Sequence, residues 1–199
     1  MLAFDKSLKR RVAPQMTNFD WFDKLQLKTI QLVPARSEHA DYIYSLRIDP
    51  LYNTHLSPPP ASAEAQRAWI ERYVQREQQG EEFYFVIERL DKVACGTVRL
   101  YDFRGPSFCW GSWILDHNKS RYAAIESALL VYRIGFEHLG FDESHFDVRR
   151  ENRKVISFHK KMGAITTEID DDNEYMRLPK EVFYEKQRDI IDFLGRSAD

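Results

Sequence analysis

Asn152 and His159 stand seven positions apart in the run Asn152 to Met162. On a helix that spacing puts a carboxamide and an imidazole on one face, roughly 10 Å apart along the axis. Such a pair can hold a ligand at one end and exchange a proton at the other. An unperturbed histidine, with a pKa near 6.5, is only about a quarter protonated at neutral pH, so an acid role for His159 requires surroundings that favour its charged form. The alternative is a histidine that hydrogen-bonds within a helix-to-sheet contact. Upstream, Lys119 and Arg121 sit just ahead of a long amphipathic pattern. A helix start offers phosphates its unpaired backbone N–H groups and a partial charge of about +0.5. Gly111 interrupts the aromatic strand Trp110 to Leu115. A glycine there marks a bulge or a close approach of a ligand to the backbone, or it relieves crowding between Trp110 and Trp113.

These groups need elements to position them. Thr29 to Pro34 alternates polar and apolar residues and stops at a proline, as a half-buried strand does. Ser37 then precedes a helical pattern through Ala40, Ile43, Tyr44 and Ile48, and Pro50 to Pro60 reads as an irregular loop. A second helix starts near Ser62, buries Trp69, Ile70, Tyr73 and Val74, and ends at Gly80. Phe83 to Glu88, Val93 to Tyr101 and Phe108 to Leu115 form an antiparallel meander across Leu90-Asp91-Lys92 and Arg104-Gly105-Pro106. Arg121 to Leu139 has a period near 3.6 and stops at Gly140. His145 to Val148 is a short strand, Asn152 to Met162 a helix closed by Gly163, and Ala164 to Leu178 a hairpin. Val182, Phe183, Ile190, Ile191 and Phe193 predict a last helix. A helix crossing between two neighbouring strands makes that pair parallel inside a mixed sheet, and a ligand is expected where the pair opens.

Composition narrows the functional classes. The 199 residues suit one core, and 13 Phe, 10 Tyr and 4 Trp supply the material to fill it. With 29 basic against 31 acidic residues, no overall positive field draws the protein to nucleic acid or an anionic membrane, so any anion site is local. Cys95 and Cys109 are the only cysteines, too few for a disulfide scaffold and without zinc-site spacing. The first residues lack the apolar core of a signal peptide. They read as a weakly ordered arm, with Met16 as an alternative start.

Trp110-Gly111-Ser112-Trp113-Ile114-Leu115, the polar loop after it, the helix opening Ala124-Ile125-Glu126-Ser127-Ala128, and Asn152 to Ala164 together resemble the GCN5-related N-acetyltransferases (GNAT) over roughly residues 29–180. The resemblance implies an α+β fold with a central mixed, mostly antiparallel sheet of about seven strands, a splayed parallel pair and flanking helices. Residues 1–28 would be an arm, 29–180 the N-acetyltransferase domain and 181–199 a helical tail. It implies acetyl-CoA as co-substrate, no metal, a primary amine of a small molecule as acceptor, no nucleic-acid or membrane partner, a cytoplasmic setting and a homodimer as one option. Carried over residue by residue, the cofactor would meet Trp113, Ile114 and Leu115 on the strand. Its phosphates would meet Lys119, Ser120, Arg121, Tyr122, Ala123 and Ala124, and its arm Asn152 and Ser157. His159 takes the place of the family's tyrosine that protonates the departing thiolate. Tyr122 takes the place of a glycine, and so must either avoid positive φ or be strained. The family's glutamate base would fall near Cys109, which leaves water, His55 or Asp102 to take the amine's proton. Ser57, Tyr101 and Trp110, with Trp69, Trp113 and His55, would wall the acceptor. Phe85-Val86-Ile87-Glu88, Trp110-Gly111 and His159 most resemble enzymes that acetylate nucleotide-linked deoxyamino sugars, the pseudaminic-acid type among them. Ribosomal-protein N-terminal acetyltransferases resemble the chain next, and a degenerate member that only binds a ligand or partner is the remaining reading.

Overall fold

The computed structural model describes residues 21–196; Met16 and the rest of the first 20 residues lie outside them. Strand β1 (Ile30–Pro34) leads through a 3-10 turn into helix α1 (Ala40–Ile48), followed by α2 (Pro50–Asn53) and α3 (Ala63–Gln78). The meander β2 (Phe83–Arg89), β3 (Ala94–Arg104) and β4 (Ser107–Leu115) comes next. Helix α4 (Ala123–Arg133) continues as a π turn (Ile134–His138) and crosses to β5 (Glu143–Arg149). Then come α5 (Arg153–Lys161), β6 (Ile165–Ile169), β7 (Asn173–Pro179) and α6 (Lys180–Arg196). The seven strands form one sheet in the order β1-β2-β3-β4-β5-β7-β6, antiparallel except between β4 and β5. This is the α+β sheet expected from the sequence.

Local chemistry explains the boundaries. Ser62 caps α3 by accepting the Ala65 N–H at 3.2 Å, and Gly80 ends it at φ +70°, a conformation open to glycine without strain. Ser37 does not cap α1. Instead His39 Nδ1 accepts the Arg36 N–H at 3.0 Å, folding the entry into a 3-10 turn. The proline-rich segment is not wholly irregular either. Pro50 takes the first position of α2, where its missing N–H costs nothing, and Asp49 caps it at 2.8 Å from Leu51 N.

The sheet is covered on both faces. Phe83, Phe85 and Ile87 of β2 join one core with α4 and α6, while Tyr84 and Val86 join a smaller one with Ile43, Ile70 and Tyr73 from α1 and α3. A strand buried on both sides is apolar throughout, which is why this stretch does not alternate. Residues 21–28, read from sequence as part of an arm, pack into the main core. Trp21 and Leu25 are buried, and Trp21 stacks on His138 at 5.0 Å. Phe183 of α6 is also fully buried, against Tyr132 and Phe136.

The crossover depends on Gly135 in the π turn. A Cβ there would lie 2.2 Å from the Phe108 ring, and Phe108 is itself buried among Phe136 and Phe141. Gly135→Ala is therefore expected to cost about 1–3 kcal/mol through overpacking, seen as a lower urea midpoint. An unchanged midpoint would mean that the ring has room to move.

Candidate active site

Strands β4 and β5 pair at only two rungs, Ser107 with Glu143 and Phe108 with Ser144, and then part. Small side chains close the lower end, where Ser144 Oγ donates to the Phe108 carbonyl at 3.1 Å and Ser107 Oγ meets His145 Nδ1 at 2.7 Å. Large rings hold the upper end open. Trp110, Phe146 and His159 pack together, with Phe146 4.2 Å and Trp110 5.2 Å from the imidazole. The opening is a cleft of about 430 Å³.

Above the last rung, β4 has no strand partner on its β5 side among the described residues, so its N–H and C=O groups face the cleft. Opposite β3 the register shifts, with Thr97 facing Ile114 and Arg99 facing Gly111. The extra residue is a bulge. Its left-handed residue is Ser112 at φ +47°, not Gly111, and Thr97 Oγ1 fixes it by donating to the Ser112 carbonyl at 2.9 Å. Gly111 has a different reason to lack a side chain, because a Cβ would sit 2.9 Å from the Tyr101 hydroxyl.

The start of α4 is built by two buried carboxylates. Asp116 accepts the Tyr42 hydroxyl at 2.8 Å and the Asn118 N–H at 2.7 Å, which turns the chain out of β4. Glu126 accepts the backbone N–H groups of Thr29 and Ile30 and the Thr29 hydroxyl at 2.8–3.2 Å, which ties α4 to β1. Tyr122, in the place of a glycine, has φ −104° and carries no positive-φ strain. Its half-buried ring bears the Arg121 guanidinium 5.4 Å away. Lys119 and Arg121 are exposed beside this helix end. The Ser120 hydroxyl is already shared with Thr29 at 2.6 Å, and Ala123, Ile114 and half-buried Leu115 turn their side chains to the core. What this stretch can offer a phosphate is therefore backbone N–H, from residues such as Ala124, and two cations.

The cleft brings together His55, Ser57, Tyr101, Trp110, Trp113, Asn152 and His159, and neither Trp69 nor the stretch from Lys119 to Ala124 lines it. Ser157 does not line it either. It faces a separate groove with Arg153 and Lys160. Asn152 spends its Oδ1 on capping α5, at 3.4 Å from Val155 N, which leaves its NH₂ for a ligand. Asp102 is bound to Arg104 and His145 near the closed end and does not line the cleft. Asp147 does line it, and sequence reasoning missed it. Its only signal is a place on β5 one residue past Phe146, where an exposed acid on a short strand looks like solvent-facing surface.

The electrostatics alter one expectation. His159 is buried among rings, and that desolvation pushes its pKa down to about 3; its Nδ1 has no hydrogen-bond partner among the described residues. The imidazolium needed for an acid role is thus disfavoured, and His159 stands in the cleft as a neutral ring. The Tyr101 hydroxyl is pushed upward by Cys109 and by burial, and burial, with a contribution from Asp147, pushes the Cys109 thiol up to about 12. Both stay protonated. Among the described residues no group of three His, Cys, Asp or Glu side chains could hold a metal ion, and no helix is long and apolar enough to cross a membrane.

A cleft lined by free strand backbone, on a strand that leads into a cation-flanked helix start, suits a long phosphorylated ligand, the class of site that an acyl carrier requires. The acetyltransferase (GNAT) domain model matches residues 29–165, and the chain belongs to that family. It is an acetyl-CoA-dependent N-acetyltransferase. Among solved structures, apo FdhC, a nucleotide-linked sugar GNAT, is 47% identical, with a TM-score of 0.79 over 86% of this chain and 98% of that one. Spermidine N-acetyltransferase from Vibrio cholerae, in complex with CoA and spermine, is 17% identical, with a TM-score of 0.67 over 78% and 98% of the two chains. A GCN5-related N-acetyltransferase from Brucella melitensis is 18% identical, with a TM-score of 0.63 over 82% and 83%. These last two share the fold. No curated protein sequence matches the chain.

The low pKa of His159 has a consequence for stability. Between pH 6.5 and 3 the unfolded chain takes up a proton that the folded ring refuses, so the folded state loses stability as the pH falls through this window. Wild type should lose on the order of 2 kcal/mol more than His159→Phe between pH 6.5 and 4.5, measured by urea unfolding at each pH. Parallel losses in the two proteins would show that the ring is solvated.

Proposed function

We propose that the acetyl acceptor is the primary amine of a nucleotide-linked amino sugar. The observation that carries this reading is the 47% identity with FdhC, which extends over 98% of that chain. The cleft supports it. Tyr101, Trp110 and Trp113 give it aromatic walls, and Arg47, His55 and Ser57 give it polar groups, a combination suited to a hydroxyl-bearing ring with one apolar face. Asp147 is the only carboxylate among its lining residues. A peptide terminus or a polyamine calls for a more acidic groove. The buried free thiols Cys95 and Cys109 suit the reducing cytoplasm, where we place the protein.

The residues present fit acetyl-CoA, which supplies the acetyl group already activated as a thioester. The open edge of β4, the bulge at Ser112 and the Asn152 amide would bind its arm in the manner of an added strand, with a β4 backbone N–H polarising the thioester carbonyl. The start of α4 with Lys119 and Arg121 would hold the diphosphate. Neutral His159 would donate one ring N–H towards the sulfur, orienting it and lowering the charge that develops there, without giving up the proton. The amine reaches the cleft as an ammonium at neutral pH and must lose one proton before its lone pair can form the N–C bond; the C–S bond then breaks, and the second proton shed by the nitrogen would pass through water to the departing thiolate. Asp147 would bind the ammonium and receive the first proton directly or through water, with His55 on the far wall as the other acceptor.

Acetyl-CoA mixed with the protein and a nucleotide-linked amino sugar should release free thiol, one for each amide formed. If acetyl-CoA binds and no such sugar elicits thiol release, the acceptor is of another class. Asp147→Asn should lower kcat/KM for the amine about 10²-fold, the scale of a lost general base, and leave acetyl-CoA affinity as it was. Full activity in this variant would remove Asp147 from proton transfer.

A further inference from the structure

A second cavity, of about 280 Å³, opens beside the cleft and shares Arg47, Ser57, Pro58 and Ser112 with it. Its lining includes Arg47, Arg99, Gln66 and Trp69 and contains no carboxylate. Two guanidinium groups facing one cavity normally repel, and here each is held in place from behind. Arg47 uses Nη2 to grip the proline loop through the Ser57 hydroxyl and the Ser57 and Pro58 carbonyls, at 3.0–3.1 Å. Arg99 uses Nη2 for buried Glu82, and its guanidinium lies between the Trp69 and Tyr101 rings, 5.1 and 4.9 Å from their centroids. Glu82 also binds Arg76, so one carboxylate serves two arginines and leaves a local excess of positive charge. Among the described residues Arg47 Nε and Arg99 Nε are buried without a hydrogen-bond partner, and neither Nη1 makes a hydrogen bond, so Nη1 is the donor that each guanidinium can turn to the cavity. Donors fixed in direction yet left unmet are what a planar cationic fork presents to phosphate oxygens.

The geometry points to this antechamber as the site for the diphosphate of the acceptor, with Arg47 and Arg99 as its two cations. The inference rests on the reading of the acceptor as a nucleotide-linked sugar. One molecule then spans both cavities, with its phosphates against Arg47 and Arg99 and its amine beyond Ser112 at the edge of β4. The diphosphate of acetyl-CoA lies elsewhere, at the start of α4, so the enzyme carries two diphosphate sites on opposite sides of the reacting atoms. The acceptor site selects by charge and length. An amino sugar that carries no phosphate would reach the amine position with nothing to hold it.

The test uses UDP, dTDP and GDP as probes. A nucleoside diphosphate should inhibit competitively against the nucleotide-linked amino sugar and not against acetyl-CoA. Arg99→Gln and Arg47→Gln should each raise its inhibition constant and the acceptor KM about 10- to 100-fold, the effect of one lost charge-assisted contact. The KM for acetyl-CoA should stay within twofold, and Arg99→Lys should recover part of the loss. A melting midpoint within a few degrees of wild type shows that a variant is folded, and Arg99→Lys decides the matter if the Gln variants do not fold. The inference is overturned if nucleoside diphosphates compete with acetyl-CoA alone, or if folded variants keep wild-type inhibition. Binding that depends on Arg99, combined with no acetylation of any nucleotide-linked sugar, would instead uphold the phosphate site and sink the acceptor assignment.

Discussion

The two-rung closure of β4 on β5 is the constraint on which the other features depend. A parallel pair gains by pairing along its whole length, because every backbone N–H and C=O left out of a ladder must find another partner. Here Ser107 and Ser144 are small enough to let the strands meet, and two residues past the last rung Trp110 and Phe146 force them apart. Once open, the pair presents a ready ladder edge on β4, a cleft deep enough for a ligand, and a place for α5 to aim Asn152 and His159 inward. The aromatic wedge thus does two jobs, keeping the strands separate and giving the imidazole a dry setting.

Around that opening the scaffold is secured by carboxylates that face the backbone. Glu126 binds two N–H groups and a hydroxyl of the chain entering β1, and Asp116 closes the turn leaving β4. Both are buried, and a buried carboxylate is tolerable only when its oxygens are met in this way. The result is a helix start held rigidly in register with the cleft while its outward N–H groups stay available. Rigidity of this kind matters for acyl transfer, where holding the amine and the carbonyl in the right geometry supplies a substantial part of the rate.

Much of this was legible in the residues. The 3.6 period from Arg121, the seven-residue spacing of Asn152 and His159 and the crossover between two strands were enough for the sheet order near the site. What was hidden had physical causes. The bulge was visible as an interruption at Gly111, but its left-handed residue is Ser112, because a hydrogen bond from Thr97 on the neighbouring strand decides which residue carries the strain. Tyr122 looked like an obstacle only because the loop was assumed to need positive φ. The charge state of His159 depends on Phe146 and Trp110, distant in sequence, and Asp147 is indistinguishable from a surface acid until β4 and β5 are seen to part. Residues 21–28 read as an arm because Trp21 and Leu25 find partners, such as His138, that no local pattern announces.

Cys109 sits three residues before Ser112, opposite Tyr101 of β3, buried just behind the residues that line the cleft. A thiolate there would attack the same carbonyl as the amine and leave the protein acylated on itself. With its pKa pushed up to about 12, only about one such thiol in a hundred thousand is ionised at neutral pH. Its burial therefore gives the enzyme chemical selectivity as well as a filled core, since a thiol held in this state stays silent and the acetyl group is left to the acceptor.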